Sequence, residues 1–139
     1  MLRQTSALLP IRADTPGLHE ITENVCMFVA DSGIEEGLLT LFCRHTSASL
    51  VIQENAAPAA RRDLERYFEH LAPEGGPYEH DDEGSDDMPA HLRSALTATQ
   101  LSIPVRAGRP VLGTWQGIFL FEHRRDTPER QIALHLVGE

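Results

Sequence analysis

The feature that most limits the fold of this chain is a series of short apolar segments with a two-residue period. In residues 117–123 and 131–137, every second side chain is apolar on one face, and residues 101–106 form a similar segment. Alternation with this period is typical of strands that bury one face in a core. Compact apolar or loosely alternating segments predict further strands at residues 2–12, 37–44 and 47–53. The sequence therefore predicts an extensive sheet.

Three helices are predicted between these strands. The first begins at Thr22, whose hydroxyl can cap it, and ends at Gly33. The second covers Pro58–Leu71, because proline suits a first turn and an apolar stripe follows it. That stripe consists of Leu64, Tyr67, Phe68 and Leu71. The third covers residues 88–97, with Leu92, Ala95 and Leu96 predicted to face inward. We therefore expect one α+β domain over residues 1–139, a large, mainly antiparallel sheet or sandwich with about three helices.

Charge and composition exclude several classes of function. The 21 acidic residues outnumber the 12 basic ones, and the net charge of −9 argues against nucleic acid or an anionic membrane as partner. No signal peptide is evident, and no apolar run approaches the ~18 residues that a membrane span requires. Cys26 and Cys43 lie in apolar patterns and are interpreted as free thiols of a reducing compartment. We expect a cytoplasmic protein.

The segment Tyr78–His91 has a high density of ionisable side chains, with six carboxylates and two imidazoles in fourteen residues. Asp87 and His91 are four residues apart at a predicted helix start, so their side chains can share one face. A carboxylate in this position can orient a histidine that binds a metal or transfers a proton. The alternative is that Asp87 only favours the helix N-terminus and His91 is an exposed neighbour. Both interpretations remain open at this point.

His80 lies upstream in the same acidic segment. Nearby carboxylates raise the affinity of an imidazole for protons or cations. Oxygen ligands suit magnesium, whereas histidine ligands favour zinc or another transition metal. The sequence predicts a divalent metal without choosing between these two.

Two further segments offer candidate ligand-binding groups. Residues 45–49 form a hydroxyl-rich turn between predicted strands, in which Ser47 and Ser49 can bind phosphate oxygens. Asn55 ends the next strand, and Trp115 lies between two glycines, where an indole can stack on a heteroaromatic ring. The alternative for each is an ordinary turn between strands. Glu122, inside an apolar strand, either faces solvent or belongs to a buried polar site.

Taken in order, these segments resemble the YjbQ family, also called the secondary thiamine-phosphate synthase family. The resemblance extends from about residue 17 to the C-terminus. Five segments carry it: His45-Thr46-Ser47-Ala48-Ser49-Leu50, Gln53-Glu54-Asn55, His80-Asp81-Asp82-Glu83-Gly84, Asp86-Asp87-Met88-Pro89-Ala90-His91 and Leu112-Gly113-Thr114-Trp115-Gln116-Gly117. One position departs from the family pattern, since Ala57 precedes Pro58 where related sequences commonly have an aspartate.

The resemblance implies a homotrimeric α+β protein whose site gathers His45, His80, Asp87 and His91. It also implies a weak thiamine phosphate synthase activity, which joins a pyrimidine diphosphate to a thiazole phosphate and releases pyrophosphate. On the first hypothesis, His45, His80 and His91 hold a divalent cation. Asp87 does not bind the cation but orients His91 through the ring nitrogen that faces away from it. Ser47, Ser49, Asn55 and Trp115 would then contact a phosphorylated small molecule.

Two other functions remain open at the level of sequence. One is a non-enzymatic trimer that binds a metal or a phosphorylated metabolite. The other is an acidic segment that only closes contacts between subunits, with histidines paired to carboxylates.

Overall fold

The computed structural model describes the whole chain, from Met1 to Glu139. Its elements, in chain order, are β1 (Arg3–Ile11), β2 (Gly17–Glu20), α1 (Thr22–Ser32), β3 (Gly37–Cys43), β4 (Ala48–Glu54), α2 (Pro58–Leu71), α3 (Asp87–Leu96), β5 (Gln100–Arg106), β6 (Arg109–Pro110), β7 (Gln116–Glu122) and β8 (Arg130–Gly138). The predicted α+β architecture is confirmed. None of the three helices combines the length and apolar character that crossing a membrane would need.

The strands form two sheets in which every pairing is antiparallel. The larger sheet has the order β1-β8-β3-β5-β6, and the smaller has the order β2-β7-β4. Alternation along β8 shows how the sequence builds the core. Ile132, Leu134 and Leu136 are buried, whereas His135 between them is exposed. The inner face of the larger sheet packs on the smaller sheet through one continuous apolar cluster.

The smaller sheet is covered on both faces. Ile118 and Leu120 of β7 belong to the core between the sheets. Phe119 and Phe121 of the same strand belong to a second cluster, against which Phe68 of α2 packs. A strand buried on both sides must be apolar throughout, and this explains the continuous run Ile118–Phe121. The molecule is therefore layered as five-stranded sheet, three-stranded sheet and α2.

Several local predictions need correction. Thr22 does not cap α1: its hydroxyl donates to Glu20 and accepts the backbone N–H of Ile118, so it joins β2, α1 and β7 instead. The predicted stop at Gly33 is confirmed, since Gly33 adopts the left-handed conformation at φ 71°. In α2, Tyr67 and Leu71 are exposed, although they extend the apolar stripe.

The inward face of α3 also differs from the prediction. Ala95 and Leu96 are exposed, and the helix instead buries Asp87, Pro89 and Ala90 in its first turn. The helix therefore attaches to the sheets through its N-terminal end, where it carries the candidate site residues. This placement fixes the position of Asp87.

Candidate functional site

The start of α3 brings a carboxylate and two imidazoles together. Asp87 is 4% exposed, and its Oδ2 lies 2.8 Å from Nε2 of His80 and 3.2 Å from Nε2 of His91. Asp87 and His91 are one helical turn apart, as their spacing predicts. His80 reaches them from the preceding loop, and its ring centroid lies 5.7 Å from that of His91. The three ligand atoms lie within 4.8 Å of one another.

A hydrogen bond at Nδ1 of His91 determines which of its two ring nitrogens faces this cluster. His91 Nδ1 lies 2.9 Å from the backbone carbonyl of Thr46. A carbonyl only accepts, so Nδ1 carries a proton and donates it, which leaves a lone pair on Nε2 of the neutral ring. That lone pair faces Oδ2 of Asp87. Two electron-rich atoms at this distance repel unless a proton or a cation lies between them.

This geometry changes the role expected for Asp87. The sequence hypothesis places Asp87 behind His91, on the nitrogen away from a metal. In the structure the Thr46 carbonyl occupies that orienting position, and Asp87 lies on the same side as the two Nε2 atoms. Oδ2 of Asp87 therefore converges with the two Nε2 atoms instead of contacting the opposite nitrogen of His91.

Arginines hold the acidic residues in place. Arg124 donates to Oδ1 of Asp87, so only Oδ2 remains for the imidazoles. The backbone N–H of Arg125 donates to Asp86 at 2.9 Å. Burial alone would raise the pKa of Asp86, but this hydrogen bond and the charges of Arg124 and Arg125 outweigh it and lower the pKa. Both carboxylates are thus fixed by the segment that follows β7.

The same hydrogen bonding affects His80. The hydrogen bond to Asp87 raises the pKa of the His80 imidazole, with further contributions from Asp82 and Glu83. His80 therefore lies in a field that favours positive charge, as the sequence predicts. Glu83 Oε2 also approaches His80 Nε2, at 3.0 Å. His80 is the more exposed of the two histidines, with 41% of its side chain accessible.

His91 also borders the largest cavity of the chain, an open pocket of about 870 Å³. The pocket lies between the loop joining β3 to β4, the exposed side of α3 and the start of β8. It is lined by Phe42, Cys43, Arg44, His45, Thr46, Ser47, His91, Ser94, Ala95, Thr99 and Arg130. Two of these residues are arginines and none is acidic, although the chain as a whole has a net charge of −9. The charged side chains of the pocket lining are therefore basic, and Arg44 is the one that no carboxylate neutralises.

A buried ion pair forms part of this pocket. Arg130 is 3% exposed and donates through Nε and Nη2 to the carboxylate of Glu122, which is fully buried. Arg130 Nη2 also donates to the carbonyl of Ser47 at 3.1 Å. Sequence reasoning missed Arg130, and the only signal was the acid at position 122 inside an apolar strand. Of the two possibilities left open for Glu122, the structure shows the buried one.

His45 lies in the pocket but not in the cluster of His80, Asp87 and His91. Its Nε2 accepts the backbone N–H of Gln131 at 2.8 Å, so this nitrogen is committed to the start of β8. Burial, assisted by the charge of Arg130, lowers the pKa of His45. A neutral imidazole with an accepting Nε2 carries its proton on Nδ1 and is a donor there. The structure thus gathers two of the three histidines expected as metal ligands.

The two serines expected to bind phosphate differ in position. Ser47 lines the pocket. Ser49 is fully buried, and its hydroxyl lies 3.0 Å from Nε2 of His123 and 2.5 Å from the hydroxyl of Thr97. Its hydroxyl is therefore not available to a ligand in the pocket. Ser47 precedes β4 and lies in the loop that borders the pocket, whereas Ser49 lies within the strand and packs against His123 and Thr97.

Asn55 and Trp115 lie at the other end of β4 and β7. The register pairs Ala48 with Glu122 near the pocket and Glu54 with Gln116 at the far end. A seven-residue strand spans about 20 Å, so these two residues do not reach the pocket of the same chain. Asn55 instead donates to Glu20, and Trp115 is 63% exposed. Within one chain, both residues therefore lie apart from the other residues predicted to bind the substrate.

Comparisons with known proteins identify the family. The family model described as UPF0047 protein YjbQ-like matches residues 8–139. The chain belongs to the YjbQ family. Among curated YjbQ-family proteins, the UPF0047 protein of Synechocystis sp. is 49% identical over 138 residues, which cover 99% of this chain and 94% of that protein. The UPF0047 protein YjbQ of Escherichia coli O157:H7 is 46% identical over 132 residues, which cover 94% and 96%.

Solved structures of YjbQ-like proteins share the fold over the full length. A YbjQ-like protein of unknown function from Sulfolobus solfataricus has a TM-score of 0.92 at 27% identity, with all of both chains covered. A hypothetical protein from Aeropyrum pernix has a TM-score of 0.87 at 28% identity, with 97% and 99% covered. The resemblance that the sequence motifs indicate is therefore confirmed at the level of family and fold.

Proposed function

We propose that this chain is a metal-assisted enzyme that acts on a phosphorylated small molecule. The observation that carries the proposal is the convergence of His80 Nε2, His91 Nε2 and Asp87 Oδ2. Because Nδ1–H of His91 donates to the Thr46 carbonyl, the lone pair of the neutral ring is on Nε2 and faces an anionic oxygen. A divalent cation held by these three groups would remove the repulsion between them.

The donor set favours zinc over magnesium. Two imidazole nitrogens and one carboxylate oxygen match the three protein ligands of catalytic zinc sites, whereas magnesium prefers oxygen ligands and retained water. The ordering of the ligands supports this choice, since Arg124 fixes Asp87 and Thr46 fixes His91. When bound, such a cation supplies electrostatic neutralisation of a phosphate or diphosphate group.

The adjoining pocket supports a phosphorylated substrate. It contains Arg44 and Arg130, lacks carboxylates and shares His91 with the proposed metal site. The residues of the chain would bind and orient the anionic end of the substrate beside that site. The finer proposal, taken from the family resemblance, is a thiamine phosphate synthase reaction that releases pyrophosphate. Within one chain, Trp115 is too distant to stack on the pyrimidine, so base recognition would need another group.

A non-enzymatic binding protein is the alternative, and a homotrimer is proposed in both cases. Leu8 and Phe42 are exposed on the outer face of the larger sheet, where each lies opposite Ala133 of β8. Exposed apolar neighbours on a sheet without a covering helix favour contact between copies. Turnover separates the two functions, because an enzyme releases pyrophosphate continuously whereas a binder saturates.

The test combines elemental analysis with a pyrophosphate-release assay on purified protein. We expect His80→Ala and His91→Ala to lower the bound metal by more than about tenfold and to abolish turnover. Neither side chain is in the apolar core, so circular dichroism should show both variants folded. His70→Ala is the matched control, since His70 is an exposed histidine of α2 that only contacts the carbonyl of Arg66.

Full metal occupancy in both variants would contradict the ligand assignment. Metal bound without turnover would support the binding protein instead of the enzyme. Loss of metal in His70→Ala would indicate a different site altogether.

A further inference from the structure

The loop that joins β3 to β4 leaves two successive backbone donors uncommitted. The N–H groups of Thr46 and Ser47 donate to no other group of the chain, whereas the N–H of His45 is hydrogen-bonded to the Cys43 side chain and that of Arg44 donates to the carbonyl of Gln131. Free backbone N–H groups in a short loop are a common means of binding anions. Both residues line the pocket described above. The hydroxyl groups of Thr46 and Ser47 add two more donors.

Arg130 supplies a further donor to the same place. Its Nε and Nη2 atoms are used by Glu122 and Ser47, but Nη1 has no partner within the chain. Nη1 is not fully buried, and Arg130 lines the pocket. Glu122 holds the guanidinium by two bonds and thereby fixes where Nη1 lies. Glu122 is therefore a positioning residue, and Arg130 is the residue that meets a ligand.

The number of donors distinguishes between possible anions. Two N–H groups, two hydroxyls and one guanidinium nitrogen exceed what the two oxygens of a carboxylate can use. A terminal phosphate presents three oxygens and can accept from donors on several sides. No acidic side chain lines the pocket itself, and the nearest carboxylates, those of Glu122 and Asp87, are each paired with an arginine.

We infer that the loop of residues 45–47 and Arg130 form a binding site for a terminal phosphate group. The inference rests on the proposed function, because it specifies which end of the substrate this pocket recognises. His91 separates the phosphate site from the proposed metal site and contacts both, through Thr46 on one side and Asp87 on the other. Phosphate binding at the loop should nevertheless be measurable without turnover.

Isothermal titration of the purified protein with inorganic phosphate and with glycerol phosphate tests this site. Acetate and glycerol serve as the carboxylate and unphosphorylated probes. We expect both phosphates to bind wild-type protein and neither of the other probes to do so. Ser47→Glu places a negative charge among the donors and should weaken phosphate binding by about 30-fold or more.

The control is Ala59→Glu, which adds the same charge at an exposed position of α2 and should leave the affinity unchanged. Arg44→Glu, at an exposed residue of the pocket lining, is a second variant whose folding does not depend on filling a half-buried site. It should also weaken phosphate binding. Circular dichroism establishes that each variant is folded before titration.

His80→Ala separates this inference from the proposed function, because it should lose metal while still binding phosphate. Equal phosphate affinity in wild type, Ser47→Glu and Arg44→Glu would overturn the site. So would acetate binding as tightly as phosphate. Phosphate binding that disappears in His80→Ala but persists in Ser47→Glu would place the anion on the metal instead of the loop.

Discussion

His91 shows how a single residue can combine two kinds of contact. Its Nδ1 is fixed by a backbone carbonyl from the loop between β3 and β4, whereas its Nε2 faces Asp87 on its own helix. Spacing along the sequence identifies the second contact but not the first, because Thr46 is 45 residues away. The distant contact determines which nitrogen is free for a ligand.

His123 gives a prediction at the residue scale. It is 2% exposed, contacts Ser49 through Nε2, and has its pKa lowered to about 3 by burial and by the charges of Arg93 and Arg130. In the unfolded chain the imidazole titrates near 6.5, so between pH 6.5 and 3 only the unfolded state binds this proton. Stability should therefore fall as the pH drops below 6.5.

The expected contribution of His123 to the free energy of unfolding is a loss of about 2 kcal/mol between pH 7 and pH 5. Urea denaturation at the two pH values measures it. His123→Gln keeps a side-chain N–H for Ser49 but cannot titrate, so its loss should be smaller by that amount. An equal loss in wild type and variant would show that other groups cause the acid sensitivity.

At the scale of elements, local patterns predicted most helices and strands but not the shortest strands. The bounds of α2 agree with the prediction, because proline and the apolar stripe are both local signals. β2 and β6 were not predicted. They have four and two residues, and each exists because a longer strand, β7 or β5, supplies its hydrogen-bonding partner. Such pairing cannot be predicted from a segment alone.

The residues of the candidate site also differ in whether local sequence could predict them. His80, Asp87 and His91 lie within one segment, and their grouping followed from the sequence. Arg130 could not be predicted, since its role depends on Glu122 in the neighbouring sheet. The distance between Asn55 and the pocket could not be predicted either, because it depends on the length and direction of β4.

The pairing of β3 with β8 provides a prediction at this scale. Gly37 lies opposite Gly138, and a Cβ on Gly37 would come within 2.3 Å of the carbonyl oxygen of Val137. Gly37→Ala should therefore push the two strands apart and lower the free energy of unfolding by roughly 2–3 kcal/mol. Urea denaturation measures the change.

Gly75→Ala is the control for this prediction. Gly75 has a positive φ of 77°, but a Cβ there would meet nothing within 4 Å. The substitution should lower the free energy of unfolding by only about 1 kcal/mol, because an alanine in the left-handed conformation is strained by that amount. If Gly37→Ala is no more destabilising than Gly75→Ala, the strands separate more easily than the structure indicates.

At the scale of the whole molecule, the candidate site occupies one end of the layered sheets. Loops from both sheets and the start of α3 meet there, and Arg130 and Glu122 join the two sheets beneath the pocket. The ligand groups are therefore attached to the most buried parts of the molecule. Occupation of the site should be reflected in the stability of the whole chain.

The hydrogen bond from His91 to the Thr46 carbonyl makes the two proposed ligands thermodynamically linked. The N–H of Ser47 belongs to the same peptide group as that carbonyl. A cation on Nε2 would polarise the ring and this peptide, and Ser47 N–H would become a better donor to phosphate. Linkage requires the reverse effect as well, so phosphate would tighten the binding of the cation by the same factor.

Thermal unfolding measures this reciprocity. We expect zinc and glycerol phosphate together to raise Tm by more than the sum of their separate effects, whereas independent sites would give simple additivity. A positive result would mean that neither affinity is a fixed property of the protein. Each would depend on how much of the other ligand the surroundings contain, and the pocket would bind substrate most tightly only when metal is available.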